Sequence, residues 1–396
     1  MTYHQNKQDY VNLERYLPVN NMRTVAIDAR IIDSSTGIYI QRLLYFLNKN
    51  HADEFHFVVL VPSSTKDKWQ AAYPNLDIQV CDASQYSVQE QTAFASTLRS
   101  HEPDLVHFTM PQQPFAWTKP AVTTIHDLTL VHFDNVDMNP LVYKVKKMIF
   151  ITLLRTIMAR SKAVITPTQY VKNDILGYFG AKYADKMFVT LEAGEPVGIE
   201  PEAMPQFENK RFIFAVNNAF PYKNIKIIIE AFHKLKSTHP ELVLLLAGKK
   251  DYFYEQLETY VNENSIQDVH FLGFISDGEK RWCYNHAEAY VSASLSEGFN
   301  MSLLEAMYED CPAIVSDASC HPEVGGDAAL YFDPYSVDSL ASKLSDVLTQ
   351  PELREELIKK GQRRVTEFSW ERMAEETVAV YRKALGVSKK ELGDGR

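Results

Sequence analysis

The chain has 396 residues, of which 45% are hydrophobic and 23% are charged, the balance of a soluble globular protein. At about 150 residues per domain, this length predicts two or three domains. A formal net charge of −10 argues against nucleic acid as the main partner. The four cysteines form no C-x-x-C pair, which is typical of the reduced, buried thiols of a cytosolic protein.

The ends and apolar runs of the chain predict no membrane-spanning segment. Residues 1–22 are polar, with weak periodicity and no apolar core, so we expect no signal peptide and assign them no role. The most apolar short run, MIFITLL at 148–154, is too short to cross a bilayer. We therefore expect a cytoplasmic protein.

The first half of the chain alternates apolar strands with helical patterns, which predicts a parallel sheet covered by helices on both faces. A turn at Gly37 leads into a helix that should end near Asn50. The predicted strands cover 24–30, 55–61, 77–81, 104–109, 121–127 and 162–167.

A stretch rich in Pro, Gly and Glu, from Glu192 to Gln206, interrupts the pattern and is interpreted as an interdomain linker. The alternation then restarts and predicts a second doubly wound α/β unit. Its predicted strands cover 211–216, 241–248, 269–273, 288–294 and 312–317, and its last helices cover 336–348, 351–366 and 370–386. Since open parallel sheets bind ligands beyond the carboxyl ends of their strands, candidate site residues should lie in strand-to-helix turns.

One such turn is SEGFNMSLLEAM, residues 296–307, which carries Glu297 before a glycine and Glu305 in a predicted helix. Gly298 lets the backbone approach a ligand closely, and the amides of the following residues would point at an anion. Those residues are Phe299, Asn300, Met301, Ser302 and Leu303. In the alternative interpretation, Ser302 and Glu305 form a capping box, and Glu297 is an exposed loop acid.

A second strand-to-helix turn, FAVNNAFPYKN at 214–224, places Lys223 at the start of a helix. A cation is disfavoured at that positive end of the helix dipole, so a bound diphosphate would explain the lysine. The alternative is a solvated lysine that follows a turn proline.

Four patches in this order resemble glycosyltransferase family 4, a retaining family with the GT-B fold. They are IDARIIDSSTGIYIQRLLYFL, IHDL, NNAFPYKN and EGFNMSLLEAM followed by DCPAIVSDASCHPEVGGDAALYFDP. The resemblance runs from about Val25 to Ala384. It implies two Rossmann-like domains facing a central cleft: an acceptor-side domain at 1–200, to which a C-terminal helix at about 370–396 returns, and a nucleotide-sugar domain at 201–369.

The resemblance also implies roles for individual residues. Glu297 would contact hydroxyls of the donor sugar, the amides that follow it would hold the distal phosphate, and Glu305 would bind the ribose. Lys223 would neutralise the leaving diphosphate. His126 would lie over the sugar, and Gly37 would line the phosphate and acceptor side. From the residues alone, His126 could equally be a hydrogen-bonded histidine that ends a buried strand.

The sequence departs from the family pattern in three places. Asn218 stands where an arginine is usual, five residues before Lys223, and Asn217 replaces the preceding glycine. The usual G-L-P after the phenylalanine is Asn300-Met301-Ser302. Loss of the arginine removes a charge-assisted phosphate contact worth about 2 kcal/mol, which leaves turnover or the phosphate geometry in question.

The nucleotide base should lie against FLGFISDGEKRW, residues 271–282. Backbone groups near Phe274 and Ile275 are placed to read a base edge, and Asp277 and Lys280 to reach guanine. The alternative is that Asp277 only caps a helix. GDP-mannose is the favoured donor, with UDP- and dTDP-sugars left open.

We therefore expect a retaining hexosyltransferase of cell-surface glycan assembly, which moves a sugar from a nucleoside diphosphate to an acceptor hydroxyl. No D-x-D sequence occurs, so we expect no metal and no other cofactor. The alternatives are a non-catalytic partner subunit that keeps the fold, which Asn218 motivates, and a nucleotide-sugar epimerase. Oxidoreductases and nucleoside triphosphatases are disfavoured because no G-x-G-x-x-G follows a predicted strand and no Walker lysine loop occurs.

A basic helix is predicted after Pro140, over LVYKVKKMIFITLLRTIMAR at 141–160. One face carries apolar residues, namely Val142, Val145, Ile149, Leu153 and Ile157, and the stretch holds five cations and no acid. Such a helix can dock on an anionic membrane, and many similar enzymes extend lipid-linked glycans at the inner face of the cell membrane. The alternative is a packed α/β helix whose basic side faces water.

Overall fold

A computed structural model gives the architecture, and it describes residues 22–134, 139–195 and 199–388. Most of the N-terminal arm (1–21), residues 135–138, the linker segment 196–198 and residues 389–396 lie outside the described residues. The domain division at residues 200 and 201 stays a proposal.

In the described part of the chain, the first sheet has seven parallel strands in the order β3-β2-β1-β4-β5-β6-β7. Five of them, β1, β2, β4, β5 and β6, are buried at nearly every position, as expected for strands covered on both faces. The strands are Thr24–Asp28 (β1), His56–Val61 (β2), Asp77–Val80 (β3), Leu105–Phe108 (β4), Ala121–Thr124 (β5), Ala163–Thr166 (β6) and Met187–Val189 (β7). The helices between them are Ile38–Asn50 (α1), Lys66–Ala72 (α2), Ala95–Ser100 (α3), Thr129–His132 (α4), Pro140–Arg160 (α5) and Gln169–Phe179 (α6).

The second sheet, again within the described residues, has six parallel strands in the order β10-β9-β8-β11-β12-β13. Its strands are Phe212–Val216 (β8), Val243–Ala247 (β9), Val269–Gly273 (β10), Ala289–Ser292 (β11), Ala313–Ser316 (β12) and Ala329–Phe332 (β13). Its helices are Ile225–Leu235 (α7), Tyr252–Glu263 (α8), Asp277–His286 (α9), Met301–Tyr308 (α10), His321–Gly325 (α11), Val337–Thr349 (α12) and Pro351–Val365 (α13), and Trp370–Leu385 (α14) follows.

The doubly wound α/β fold class predicted from the sequence is confirmed, and each predicted strand is present within two or three residues. Two edge strands, β7 and β13, were not predicted. Each is only three or four residues long and pairs on one side, so neither leaves the long apolar run of a central strand.

Each sheet reverses its strand order at one place, between β1 and β4 in the first sheet and between β8 and β11 in the second. A crevice opens at such a switch point because the two flanking turns leave in opposite directions. In the second sheet these flanking turns are the ones that carry Lys223 and Glu297. The topology therefore brings together two turns that lie more than seventy residues apart in sequence.

The last helix, α14, packs on the first sheet although it follows the second in sequence. The Tyr381 hydroxyl and His107 Nδ1 lie 2.6 Å apart, and Thr124 Oγ1 lies 2.8 Å from His107 Nε2. All three side chains are buried, and burial lowers the pKa of His107 to about 3, so the ring is neutral. Helix α14 is thus held against strands β4 and β5 by these buried hydrogen bonds.

The Tyr381→Phe variant tests these hydrogen bonds. It should lower the free energy of unfolding by about 1–3 kcal/mol, because His107 Nδ1 is left buried without its partner. Urea unfolding at neutral pH measures the loss. The control is Tyr335→Phe, which removes the same hydroxyl at a residue that is 81% exposed and should change stability little. Equal effects would contradict the assignment.

Candidate active site between the two sheets

The centre of the site is an ion pair between the turns that follow β8 and β11. Lys223 Nζ donates to Glu297 Oε1 at 2.6 Å, and the side chains are only 15% and 14% exposed. Burial lowers the pKa of Lys223, but the Glu297 carboxylate outweighs it and raises this pKa above its ordinary value. Burial likewise raises the pKa of Glu297, and Lys223 brings it below the ordinary value. Both groups are therefore charged at neutral pH.

The alternatives considered for Lys223 and for Ser302 with Glu305 are wrong. Lys223 is not a solvated lysine, since its ammonium is mostly buried on Glu297. Ser302 and Glu305 form no capping box, because α10 begins at Met301 with Asn300 as its N-cap, and no side chain caps it. Ser302 thus lies inside the first turn of the helix rather than before it.

Glu305 instead belongs to a polar cluster beside α9. Its two carboxylate oxygens accept hydrogen bonds from Lys280 Nζ at 3.0 Å and from the Tyr284 hydroxyl at 3.1 Å. Lys280 also lies 3.2 Å from Asp277. Asp277 is not the helix cap: Ser276 caps α9, in a capping box with Glu279.

Helices α7 and α10 start at the cleft without side-chain caps. Each begins after an asparagine in the left-handed region, Asn224 at φ 54° and Asn300 at φ 67°. Asparagine commonly caps a helix through its own side chain, but here both amides turn elsewhere. Asn224 donates to the Pro334 carbonyl, and Asn300 donates to His321 Nε2. The first amides of both helices are therefore left for another acceptor, which suits an anion.

His126 lies after β5, opposite this turn. Its Nδ1 is 3.1 Å from Glu192 Oε1 and its Nε2 is 3.0 Å from the Thr109 carbonyl oxygen. Both partners only accept hydrogen bonds, so the ring is best satisfied with both nitrogens protonated. Burial lowers the pKa of His126, but the hydrogen bond and charge of Glu192 outweigh it and raise the pKa above its ordinary value. The alternative of a hydrogen-bonded histidine at a strand end describes these contacts correctly.

The two halves of the chain meet at Gly298. A Cβ atom built there would lie 2.0 Å from the carbonyl oxygen of His126, so only glycine fits. Beside it, the Thr168 hydroxyl donates to the Gly298 carbonyl at 2.9 Å, and the Thr129 and Ser296 hydroxyls lie 2.9 Å apart. The turn that holds Glu297 is therefore clamped against the first sheet.

A further contact between the halves caps a helix. The carboxylate of Glu323, which follows β12, accepts hydrogen bonds from the backbone amides of Gln169 and Tyr170 at 2.7 Å each. These are the first two amides of α6, which have no partner within their own helix.

Comparison with protein families matches most of the chain to two neighbouring models. Residues 40–189 match the model described as Glycosyltransferase Family 4, and residues 199–364 match the model described as Glycosyl transferases group 1. The chain is a family 4 glycosyltransferase.

Curated relatives of this glycosyltransferase include the O-antigen chain mannosyltransferase B of Escherichia coli, 25% identical over 66% of this chain and 70% of the relative. Another is the Salmonella typhimurium O-antigen chain mannosyltransferase RfbU, 27% identical over 60% of this chain and 67% of the relative. A third is the MMP alpha-(1->4)-mannosyltransferase of Mycolicibacterium hassiacum, 29% identical over 60% and 57%.

Solved structures share the GT-B fold with the glycosyltransferase. Sucrose-phosphate synthase from Thermosynechococcus elongatus aligns with a TM-score of 0.74 at 18% identity and covers 92% of this chain and 100% of its own. WaaG, a glycosyltransferase involved in lipopolysaccharide biosynthesis, aligns with a TM-score of 0.66 at 15% identity, over 90% of this chain and 99% of its own. The fold predicted from the family resemblance is confirmed.

Several predicted site residues of the glycosyltransferase offer only their backbone to a ligand. Phe299 and Leu303 are buried in the core, and Ile275 packs against it. Phe274 differs from them, because its side chain is 90% exposed and therefore accessible to a ligand. Gly37 is needed within its own loop, since a Cβ there would lie 2.1 Å from the Ile32 carbonyl oxygen.

Asn218, at the place of the usual arginine, is exposed. Met301 is half-buried and packs against the core, and Ser302 is half-buried within α10. The structure thus gathers Lys223, Glu297, Gly298 and His126 at one end of the cleft, and Asp277, Lys280 and Glu305 form a second cluster.

Sequence reasoning missed four side chains of the glycosyltransferase that hold this site together. Glu192 lies at the start of the stretch interpreted as a linker, but it is buried against His126. His321 and Glu323 lie inside the quoted SDASCHPEVGG patch, and Thr168 precedes α6. The patch signalled the family without revealing what its polar residues contact, since those partners lie far away in sequence.

No group of three or more His, Cys, Asp or Glu side chains in the described residues is placed to hold a metal ion, and the expectation of no metal stays a prediction. No helix among these residues is both long enough and apolar enough to span a membrane.

The Glu192→Gln variant tests the charge on His126. Removing the carboxylate should lower the pKa of His126, which an NMR titration of the ring protons measures. Because the folded pKa is raised, the pair contributes stability that is complete below about pH 6.5 and is lost as pH rises through the folded pKa. The variant should lose that pH dependence of unfolding. Glu200→Gln, at an exposed acid, is the control, and equal pKa values in both variants would contradict the assignment.

Proposed function

We propose that this glycosyltransferase moves mannose from GDP-mannose to an acceptor hydroxyl, with retention of anomeric configuration. The observation that carries the proposal is the pair of uncapped helix N-termini beside Lys223 at the switch point of the second sheet. Two helix N-termini and a lysine suit a diphosphate, because aligned amides and an ammonium both attract anionic oxygens.

The donor would lie along the turn that carries Glu297. Its distal phosphate would accept from the first amides of α10, beside Lys223. The ribose would reach Glu305, whose position is fixed by Lys280 and Tyr284. The base would lie beside the β10–α9 turn, where Phe274 is open to stacking and Asp277 is exposed.

Transfer requires stabilisation of the negative charge that develops on the leaving diphosphate. Lys223, the amides of α10 and the His126 imidazolium are the groups that supply it. The bond from the sugar C1 to the diphosphate breaks, the acceptor oxygen forms a bond on the same face, and the acceptor proton passes to the departing phosphate oxygen. Glu297, held on Lys223, would position sugar hydroxyls rather than attack the sugar.

The choice of sugar and pathway is supported by the relatives. Three of them are named as mannosyltransferases, and two act on O-antigen chains. We extend this to mannose as the sugar and to cell-surface glycan assembly as the setting. The solved relatives named as complexes with UDP or UDP-glucose keep a uridine donor as the second candidate.

A non-catalytic partner subunit is the alternative that one observation favours, namely the neutral, exposed Asn218 in place of a phosphate-binding arginine. Epimerisation of the nucleotide sugar is distinguished by product analysis, since an epimerase changes the donor without an acceptor. A non-catalytic subunit would bind the donor and leave it unchanged.

A panel of nucleotide sugars tests the function. GDP-mannose should raise the melting temperature most, as expected for a ligand that binds only the folded state, and EDTA should not change transfer. Lys223→Ala should reduce transfer to a glycan acceptor at least about a hundredfold, because a charged stabiliser of the leaving group is lost.

The matched control is Lys226→Ala, which removes the same charge from an exposed position on α7, 56% exposed, and should keep transfer near the wild-type rate. Normal turnover by Lys223→Ala would remove the phosphate site from this turn. Protection by UDP- or dTDP-sugars alone would replace the proposed donor.

We further propose that the enzyme docks on an anionic membrane through α4 and the first half of α5. Six large apolar side chains are exposed there: Leu130 (52%), Leu141 (75%), Val142 (47%), Val145 (52%), Met148 (61%) and Ile149 (49%). The sequence predicted one continuous apolar face, and this prediction is half right. Leu153 and Ile157 are buried in the core, so only the first three turns of the helix present apolar groups to solvent.

Charge supports a membrane as the occupant of this surface. Lys144 and Lys146 are exposed between the apolar side chains, and α5 contains no acid. Lysines contribute on the order of 1 kcal/mol each at an anionic lipid surface, while the apolar groups enter the headgroup region. A lipid-linked glycan would then be the acceptor, presented at the same surface.

Liposome sedimentation tests the docking surface. The wild type should bind anionic vesicles at low salt, binding should fall as salt screens the lysines, and changing Lys144, Lys146 and Lys147 to Glu should abolish it. The control changes Lys226, Lys234 and Lys359 to Glu, an equal charge change at exposed lysines elsewhere. A wild type that stays in the supernatant, or equal loss in both variants, would favour a soluble acceptor.

A further inference from the structure

The donor turn contains a strained residue with an unusual anchor. Asn300 adopts φ 67° and ψ 68°, a left-handed conformation that glycine adopts freely and asparagine adopts more readily than other residues, with help from its side chain. Its carbonyl accepts from the Leu303 amide at 3.1 Å, so its backbone sets the direction of the first turn of α10. The conformation of this one residue therefore decides where the amides of Met301 and Ser302 point.

The Asn300 side chain reaches inward instead of capping its helix. Nδ2 donates to His321 Nε2 at 2.8 Å and lies 3.3 Å from Ser292 Oγ. Ser292 and His321 are fully buried, so these contacts are shielded from water. An internal anchor of this kind offsets the cost of about 1–2 kcal/mol for a non-glycine residue in the left-handed region.

The tautomer of His321 is determined by its other nitrogen. Nδ1 lies 3.0 Å from the Ser316 carbonyl oxygen and 2.9 Å from Ser316 Oγ. The Ser316 hydroxyl itself donates to the Ser294 carbonyl at 2.5 Å, so Nδ1 must donate to Ser316. Nε2 then carries the lone pair that accepts from Asn300. Burial lowers the pKa of His321, which keeps the ring in this neutral form.

We propose that His321 is a positioning residue that holds Asn300 in the left-handed conformation and thereby aims the first amides of α10 at the donor phosphate. This inference rests on the proposed function for its ligand, but the anchor itself is independent of that function. Both ends of the hydrogen-bond chain are strand ends of the same sheet, β11 through Ser292 and β12 through Ser316. The sheet thus fixes the turn through side chains.

The arrangement also accounts for a departure in the sequence. Where the family pattern has glycine after the phenylalanine, this chain has Asn300, and His321 supplies the restraint that the asparagine requires. Glycine in this place would need no such partner, because it adopts positive φ without a side chain. The effect of removing His321 should therefore depend on which residue occupies position 300.

A double-mutant cycle in donor kinetics tests the coupling. His321→Ala should raise the KM for the nucleotide sugar about tenfold, the size of one buried hydrogen bond, with a smaller change in kcat. In the Asn300→Gly background, the same His321→Ala change should raise the KM less than about threefold. His321→Gln, which retains an acceptor, should restore part of the affinity.

The control is Val324→Ala, a buried apolar residue on the same short helix. It should lower the melting temperature through a cavity without raising the KM and without coupling to Asn300→Gly. If His321→Ala raises the KM equally in both backgrounds, or if Val324→Ala behaves like His321→Ala, His321 acts only through packing and the proposal is overturned.

Hydrogen exchange in the ligand-free protein separates this proposal from the proposed function. His321→Ala should accelerate exchange of the Leu303 amide, which donates to the Asn300 carbonyl, and the acceleration should disappear in the Asn300→Gly background. A wild type that binds none of the nucleotide sugars would refute the proposed function, and the exchange result would still decide on the anchor. Equal acceleration in both backgrounds would overturn it.

Discussion

The structure depends on one buried ion pair, between Lys223 and Glu297. Taking two charges out of water is costly, and the cost is offset only where the partners are close and well oriented. The lysine also stands at the positive end of α7, where it is disfavoured. A contact of 2.6 Å offsets both costs and fixes the distance between the turns that follow β8 and β11. That distance determines how the two uncapped helices face each other.

The remainder of the cleft follows from this spacing. With the Glu297 turn held in place, Gly298 lies against the His126 carbonyl, and the His126 ring is held by Glu192 and the Thr109 carbonyl. The two sides of the ion pair differ in the hydrogen-bonding groups that they offer to a ligand. On one side, the first backbone amides of the helices have no side-chain cap. On the other side, the Glu305 carboxylate is held by hydrogen bonds from Lys280 and Tyr284. An extended ligand with an anionic part and a polyhydroxylated part matches this asymmetry.

The sequence predicted the fold well because buried parallel strands leave long apolar runs, such as residues 55–61, and because helix starts carry local signals. It also placed Glu297 and Lys223 in strand-to-helix turns and Glu305 in the helix that follows, where the structure has them. The capping box considered as the alternative for Glu305 does not form, and a Ser-x-x-Glu pattern could not exclude it because it does not reveal which residue is left-handed. The left-handed residue is Asn300, and its partner His321 lies twenty-one residues away in the sequence.

Contacts between side chains far apart in the sequence could not be predicted. Glu192 appeared to be a linker acid because its neighbours are Pro, Gly and Glu, and its burial depends on a histidine sixty-six residues earlier. The sequence also could not show which half of α5 is exposed. Its apolar period continues unbroken from Val142 to Ile157, but only the later turns of the helix are buried in the core. Periodicity identifies a face but not what lies opposite it.

The carboxylate of Glu323 has a consequence for how the cleft opens. Its two oxygens hold the two leading amides of α6 from the other half of the molecule, each at 2.7 Å. Hydrogen bonds of this length fail within about 1 Å of separation, so both are lost together. Separating the two halves would therefore cost both hydrogen bonds at once, rather than one after the other. It would also leave the first two amides of α6 without their protein acceptor.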